Sequence, residues 1–117
     1  MSNFDLVVLG GGSGGYAAAL RGAQLGLTVA LIEADKLGGT CLHRGCIPTK
    51  ALLKSAQVFE YINHAQDYGI TVKDANADFP SIIKRSRDVA NGMSNGIAYL
   101  LKKNKVEVIT GFGKVKS

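Results

Sequence analysis

The residues of this sequence best suited to chemistry are Cys41 and Cys46, which are the two cysteines of the chain. They lie in the segment GGTCLHRGCIPTK, residues 38–50. A disulfide between them would close a very small loop, and the stability gained from a disulfide grows with the length of the loop. Structural disulfides are also rare in reducing compartments, and nothing else in the sequence is typical of a secreted protein. We therefore interpret the pair as a redox-active dithiol.

A bridge between these two cysteines requires an irregular backbone. Residues five apart in a regular helix are separated by about 7.5 Å along the axis, whereas the Cα atoms of a disulfide usually lie about 4.4–6.8 Å apart. Gly45 tolerates unusual dihedral angles and Pro48 lacks an N–H group, so both permit such a segment. We expect the pair at the distorted start of a helix that continues through Ala51, where the helix N-terminus favours the thiolate.

Other interpretations of this segment stay open from the residues alone. Cys41, His43 and Cys46 could be metal ligands, but no fourth ligand lies nearby and His64 is remote in sequence. Two unpaired core thiols are a further alternative. We predict no metal site, and we expect both histidines on the surface.

A glycine-rich loop forms the second segment with chemical potential. Gly10, Gly12 and Gly15 satisfy the spacing G-x-G-x-x-G, after the apolar run at residues 6–9 and before a helical pattern at residues 13–26. A second apolar run at residues 28–32 is followed by an acidic residue, Glu33. This strand, helix, strand order is the context in which the motif binds a dinucleotide.

Each part of that motif has a physical role. Gly10 would permit the tight turn, Gly12 the approach of a pyrophosphate, and Gly15 close packing of helix on strand. Glu33 would accept hydrogen bonds from a ribose. The motif does not distinguish FAD from NAD, and a glycine-rich turn without a ligand is the alternative. Electron transfer between a dithiol and a nicotinamide needs an intermediary, which favours FAD.

The remaining pattern predicts an α/β fold, an incomplete Rossmann-like FAD-binding domain with about three parallel strands and flanking helices. We predict a helix at residues 51–65, a loop at 66–78 with a short extended piece at 70–72, a helix at 80–103 and a strand at 106–110. The inner stripe of the second helix would contain Ile82, Ser86, Val89, Met93, Ile97 and Leu100. Such sheets usually carry five or six strands, so residues 1–117 are expected to be the N-terminal part of a longer protein.

The composition is that of an ordinary globular protein, with 46% hydrophobic and 20% charged residues. The net charge of +5 comes largely from lysines at residues 102–116, which we interpret as a solvated helix end and strand exit rather than a nucleic-acid surface. No apolar run approaches the roughly 18 residues of a membrane span, and the N-terminus lacks a signal pattern. We expect no membrane association and a cytoplasmic location.

These segments together resemble the flavin disulfide reductase family over essentially the whole chain. The redox segment at residues 38–50, the first helix at 14–27 and the stretch at 100–113 are most similar to the branch that oxidises dihydrolipoamide. Glutathione reductases tend toward valine and a second lysine around Pro48, which this chain lacks. The family commonly has Asn-Val where this chain has His43 and Arg44.

The resemblance implies residue roles. Cys41 would be the thiol that exchanges with the substrate, Cys46 the thiol nearest the flavin, and Lys50 a residue beside the flavin ring. The implied FAD contacts are Gly10, Gly12, Ser13, Gly14, Gly15, Glu33, Gly39, Thr40, Lys50 and Gly113.

The resemblance also implies a function for the longer protein. It would oxidise dihydrolipoamide, carried on an acyltransferase or carrier protein of 2-oxo acid dehydrogenase complexes, with NAD through FAD and the Cys41–Cys46 disulfide, and it would be a homodimer. The NAD motif and the partner subunit's His–Glu pair would lie beyond residue 117, so the chain alone is not expected to complete the reaction. The alternatives are another disulfide or metal-ion reductase of the family, or a non-enzymatic nucleotide-binding or interaction fragment.

Overall fold

Strands and helices alternate along the chain and build a parallel sheet with helices packed against it. The structure is a computed structural model, and it describes residues 3–117. The elements are β1 (Leu6–Leu9), α1 (Ser13–Gln24), β2 (Val29–Glu33), α2 (Gly39–Arg44), α3 (Cys46–Asn63), a 3₁₀ turn (Ala65–Tyr68), α4 (Phe79–Lys103) and β3 (Glu107–Thr110).

The sheet contains three parallel strands in the order β1-β2-β3. Leu6 lies opposite Val29 in the first pair, and Ala30 lies opposite Glu107 in the second. The central strand is apolar and almost completely buried from Val29 to Leu31, which is typical of a parallel strand covered on both faces. The predicted α/β fold with three parallel strands is therefore confirmed.

The core lies where α1 and α4 pack against β2. Ala19 of α1, Leu31 of β2 and Leu101 of α4 have no exposed surface, and Ala90 of α4 is 2% exposed. Leu42 of α2 joins the same cluster. The core thus connects the sheet to the helix that carries Cys41.

Helix α4 begins and ends within one residue of its predicted bounds. The Asp78 carboxylate accepts a hydrogen bond from the Ser81 N–H group, and Pro80 lies in the first turn, where its missing N–H group costs no helical bond. These two features fix the start of the longest helix in the described chain.

The packed face of α4 differs from the predicted stripe. Its buried residues are Ser86, Ala90, Ile97 and Leu101. Met93 and Leu100 are nearly half exposed, so their predicted burial was wrong. Ser86 and Ile97 of the predicted stripe are buried as expected, whereas Ala90 and Leu101 are buried in place of their neighbours Val89 and Leu100. The packed face is therefore shifted toward the C-terminal neighbours of the predicted positions, by less than the 100° that separates adjacent helical residues.

The segment between α3 and α4 forms no strand. Ile70 and Val72 are about half exposed, and residues 70–72 lie in the predicted loop, outside any helix or strand. The chain makes a single 3₁₀ turn after α3 and then an irregular connection.

Helices α3 and α4 pack against each other and give the molecule an elongated shape of 65 × 25 × 17 Å. Its radius of gyration is 20.0 Å, against about 13 Å for a compact domain of this length. Within residues 3–117, no helix combines the length and apolar character that crossing a membrane requires.

Candidate redox and dinucleotide site

Cys41 and Cys46 form a disulfide, and their Cα atoms are 4.8 Å apart. Cys41 lies in α2 and Cys46 is the first residue of α3, with Gly45 between the helices at φ −133° and ψ −109°. The predicted irregular segment is confirmed, and so is the place of Cys46 at a helix start. Cys41 belongs to a separate short helix, because the break at Gly45 ends α2 before α3 begins.

The metal interpretation of this segment is not supported by the geometry. Both sulfur atoms are bonded to each other, and the His43 Nε2 atom lies 2.8 Å from the Leu37 carbonyl oxygen. His43 is 9% exposed, so its expected surface position was wrong. This ring packs under α2 and bonds to backbone, whereas His64 is exposed as expected.

The glycine loop adopts the close turn that its sequence predicts. Gly10 follows β1 with φ +99°, a conformation that glycine adopts without the strain a side chain adds. A Cβ atom on Gly15 would lie 1.8 Å from the Gly10 carbonyl oxygen. Only glycine at position 15 therefore allows α1 to begin directly beside β1.

The start of α1 fits an anionic ligand. Gly12 is the N-cap and supplies no side chain to accept from the first-turn N–H groups, which have no intrahelical acceptor. No acidic residue lies in that turn, and both Ser13 and Gly14 are exposed. These N–H groups and the positive end of the helix dipole suit a pyrophosphate.

The glycine loop and the redox helix are in direct backbone contact. The Gly38 N–H group donates to the Gly11 carbonyl oxygen at 2.8 Å. A Cβ atom on Gly39 would lie 2.8 Å from the Gly12 Cα atom. The structure thereby brings the two predicted segments together, with Gly39 at the start of α2 and Cys41 within its first turn.

Glu33 links the same two loops through both carboxylate oxygens. Oε2 accepts from the Gly11 N–H group at 2.6 Å, and Oε1 accepts from the Asp35 N–H group at 3.0 Å. The N–H groups of Asp35 and Gly11 lower the pKa of Glu33, against a smaller opposing effect of burial. Each oxygen keeps a second lone pair for a ribose hydroxyl. The Gly11 N–H group thus holds the Glu33 carboxylate beside the glycine loop.

Gly113 lies at the same carboxyl edge of the sheet. A Cβ atom there would lie 2.6 Å from the Leu9 Cδ2 atom. A cavity of about 160 Å³ is lined by Gly113 together with Leu9 and Gly10 at the start of the glycine loop. A second cavity of about 140 Å³ is lined by Glu33, Gly39, Thr40 and Arg44 among others. Ligands of parallel α/β sheets bind at this edge.

Lys50 lies on α3 four residues after Cys46, and both residues are exposed. Residues at this spacing occupy one helix face, so the predicted neighbour of the flavin shares a face with the predicted flavin-proximal thiol. A larger cavity of about 550 Å³ lies between α3 and α4, lined by Val58, Phe59 and Ile82 among others and not by either cysteine. This cavity is mainly apolar because it lies between two packed helices, and it is remote from the disulfide.

Two polar residues of α4 contact this site and were not predicted. Ser94 Oγ donates to the Leu37 carbonyl oxygen at 2.6 Å, and Arg87 Nη1 donates to the His43 carbonyl oxygen at 2.9 Å. Neither position belongs to the predicted inner stripe of α4, and no local pattern in the sequence indicated either residue.

Comparison with known proteins agrees with this geometry. The family model described as pyridine nucleotide-disulphide oxidoreductase matches residues 4–117. The chain is 55% identical to a dihydrolipoyl dehydrogenase of Zymomonas mobilis and 46% identical to one of Bacillus subtilis, over 97% of this chain in each case. It is also similar to the crystal structure of LpdA from Mycobacterium tuberculosis, with a TM-score of 0.88 and 30% identity over 96% of this chain.

The chain spans 24% of the length of each of these three proteins. The family match, in contrast, extends over nearly every residue that the structure describes. It includes the glycine loop, the disulfide and the strand that precedes Gly113. The chain therefore belongs to the pyridine nucleotide-disulphide oxidoreductase family.

Proposed function

We propose that the protein carrying this chain oxidises dihydrolipoamide to lipoamide with NAD, through FAD and the Cys41–Cys46 disulfide. One observation carries the proposal: the helix of a surface disulfide is in backbone contact with a dinucleotide-binding loop. That contact supports a two-electron dithiol couple that works beside a loop suited to a nucleotide cofactor. The relatives named dihydrolipoyl dehydrogenase support the choice of substrate.

The exposed disulfide can exchange with a dithiol substrate in two steps. A substrate thiolate attacks the Cys41 sulfur, which forms a mixed disulfide and releases Cys46 as a thiolate. The second substrate thiol, after losing its proton, attacks its neighbour in the mixed disulfide and releases Cys41. The substrate leaves as a cyclic disulfide, and its two electrons remain on the cysteine pair.

The position of Cys46 suits a stable thiolate. It is the first residue of the 18-residue helix α3, and a helix N-terminus favours the anionic form of a cysteine. Lys50, one turn further along the same face, adds a positive charge. Bound FAD would supply the two-electron acceptor for the cysteine pair and its link to NAD. The glycine loop and Glu33 would hold its pyrophosphate and ribose.

The proposal extends to the carrier of the substrate, the oligomeric state of the protein and its location in the cell. We propose that the substrate is carried by an acyltransferase or carrier protein of a 2-oxo acid dehydrogenase complex, and that the protein is a cytoplasmic homodimer. The family resemblance supports the dimer, and the absence of cysteines other than the redox pair supports a reducing compartment.

The test uses the protein that carries this chain, purified with its natural cofactor. We expect a yellow flavin spectrum and NAD-dependent oxidation of dihydrolipoamide. Cys41→Ser and Cys46→Ser should each lower kcat by about a thousandfold or more, since the two sulfurs act as one unit. Cys46→Ser should also abolish long-wavelength thiolate–flavin absorption in the reduced protein.

The matched control is Thr49→Ser, a conservative change at an exposed position of α3, which should leave kcat unchanged. A colourless protein would contradict the proposal and favour a non-enzymatic nucleotide-binding or interaction role. A flavoprotein that reduces glutathione disulfide or mercuric ion, but does not oxidise dihydrolipoamide, would assign it to another branch of the family.

A further inference from the structure

We infer that Arg87 and Ser94 of α4 are positioning residues that hold the two ends of α2, so that Cys41 and Cys46 stay within disulfide reach when reduced. The inference rests on the proposed redox role of this pair. It assigns a function to a helix that lies far from the redox segment in sequence. Each of them acts through a hydrogen bond to a backbone carbonyl group at one end of α2.

Ser94 holds the start of α2. Its Oγ atom donates to the Leu37 carbonyl oxygen at 2.6 Å. The same oxygen lies 2.8 Å from the His43 Nε2 atom. The turn from Leu37 to Gly39 is thereby tied both to α4 and to the side chain of a residue at the end of α2.

Arg87 holds the end of α2. Its Nη1 atom donates to the His43 carbonyl oxygen at 2.9 Å across 44 positions of sequence. The last carbonyl groups of a helix have no intrahelical donor, and a charged donor forms the stronger kind of hydrogen bond. The bond lies two residues before Gly45, where the chain turns from α2 into α3.

Helix α2 needs external support because it contains six residues, and isolated helices of that length are unstable in water. Leu42 provides one apolar contact with the core. After reduction the covalent link between the cysteines is gone, and the remaining contacts must keep the Cα atoms near their 4.8 Å separation. Contacts that keep the thiols close favour the disulfide over the dithiol.

The same helix offers a matched control. Arg85 Nη1 donates to the Ala51 carbonyl oxygen at 3.0 Å, so Arg85→Ala removes an equal charge and a similar bond. Its acceptor lies inside α3, beyond the redox segment. Arg87→Lys keeps the positive charge and an N–H donor group. It tests whether a shorter cationic side chain can still hold the His43 carbonyl group.

The experiment measures the dithiol–disulfide equilibrium of the protein that carries this chain. The protein is equilibrated with mixtures of reduced and oxidised dithiothreitol, quenched with acid and alkylated, and the thiols are counted by mass spectrometry. Two electrons and two protons pass from dithiothreitol, which closes to its cyclic disulfide, to the sulfurs of Cys41 and Cys46.

We expect Arg87→Ala and Ser94→Ala each to raise the equilibrium constant for reduction about tenfold, or about 30 mV. Arg85→Ala should leave it within about twofold, and Arg87→Lys should restore most of the original value. An unchanged constant in Arg87→Ala and Ser94→Ala, or an equal shift in Arg85→Ala, overturns the inference. If Arg87→Ala fails to fold, Ser94→Ala decides alone.

This readout does not depend on lipoamide. A shifted equilibrium in a protein that does not oxidise dihydrolipoamide would contradict the proposed substrate and leave the positioning role intact. Full oxidation of dihydrolipoamide, together with an unshifted equilibrium in the variants, would contradict the positioning role and leave the proposed substrate intact.

Discussion

At the residue scale, single glycines decide how closely the dinucleotide loop and its helix approach. Gly15 faces the Gly10 carbonyl oxygen, and a Cβ atom there would lie 1.8 Å from it. Gly14, one residue earlier, has no atom within 4 Å of an added Cβ. Both are glycines of the same helical turn, yet only one is required by packing.

We predict opposite effects of alanine at these two positions on stability. Gly15→Ala should lower the free energy of unfolding by about 1–3 kcal/mol, because α1 must move away from β1. Gly14→Ala should raise it by up to about 1 kcal/mol, because alanine favours the helix and restricts the unfolded chain. Urea unfolding followed by circular dichroism measures both. Equal destabilisation by the two variants would contradict the steric argument.

The sequence predicted residues whose roles depend on local spacing. The irregular backbone at Gly45 followed from two cysteines five positions apart, and the tight turn at Gly10 followed from the glycine motif. His43 and Arg87 could not be found this way. Their roles depend on a contact between residues 44 positions apart, which no local pattern encodes.

At the element scale, Glu33 connects the carboxyl end of β2 with the loop that follows β1. Its carboxylate accepts from the N–H groups of Asp35 and Gly11, and both bonds lower its pKa. A lowered pKa in the folded state means that the ionised form stabilises the fold. This stabilisation is complete above the ordinary pKa of 4.5 and is lost as the pH falls through the lowered value.

We therefore expect the free energy of unfolding to fall with pH below about 4.5, and Glu33→Gln to remove part of that dependence. Glutamine offers one acceptor oxygen for two N–H groups, so this variant should also be less stable at neutral pH. Asp5 provides a comparison at the opposite end of β2, where Thr28 lowers its pKa through a backbone and a side-chain bond. Asp5→Asn should remove a separate, additive part of the acid loss. An unchanged acid profile in Glu33→Gln would contradict the assigned role.

The elements themselves were largely predictable, whereas the packed face of α4 was not. Apolar runs and capping residues fixed the strands and the bounds of the long helix. Met93 and Leu100 were expected in the inner stripe but are nearly half exposed, whereas the small Ala90, which was not expected there, is buried. Periodicity ranks positions by hydrophobicity, and it does not register how closely two helices approach.

At the scale of the whole molecule, the dinucleotide site is open. The two cavities beside the glycine loop have volumes of about 160 and 140 Å³, below the roughly 300–1,000 Å³ of typical ligand pockets. Val7 and Leu9 of the edge strand β1 are about half exposed. The loop presents N–H groups suited to a phosphate, but residues 3–117 do not enclose a ligand of the size of FAD.

We predict that the 117-residue chain alone binds FAD weakly, with a dissociation constant well above the micromolar range, or not at all. The start of α1 would contact the pyrophosphate, but the flavin and adenine rings would stay exposed to solvent. Small-molecule sites bury most of the surface of their ligand, so the affinity should be low. Titration of FAD followed by flavin fluorescence measures this, with the longer protein as the positive control. Gly12→Asp, which places a carboxylate at the helix N-terminus where phosphates would bind, should abolish any residual affinity. Micromolar binding by the unchanged chain would contradict the prediction and show that these residues form a sufficient site.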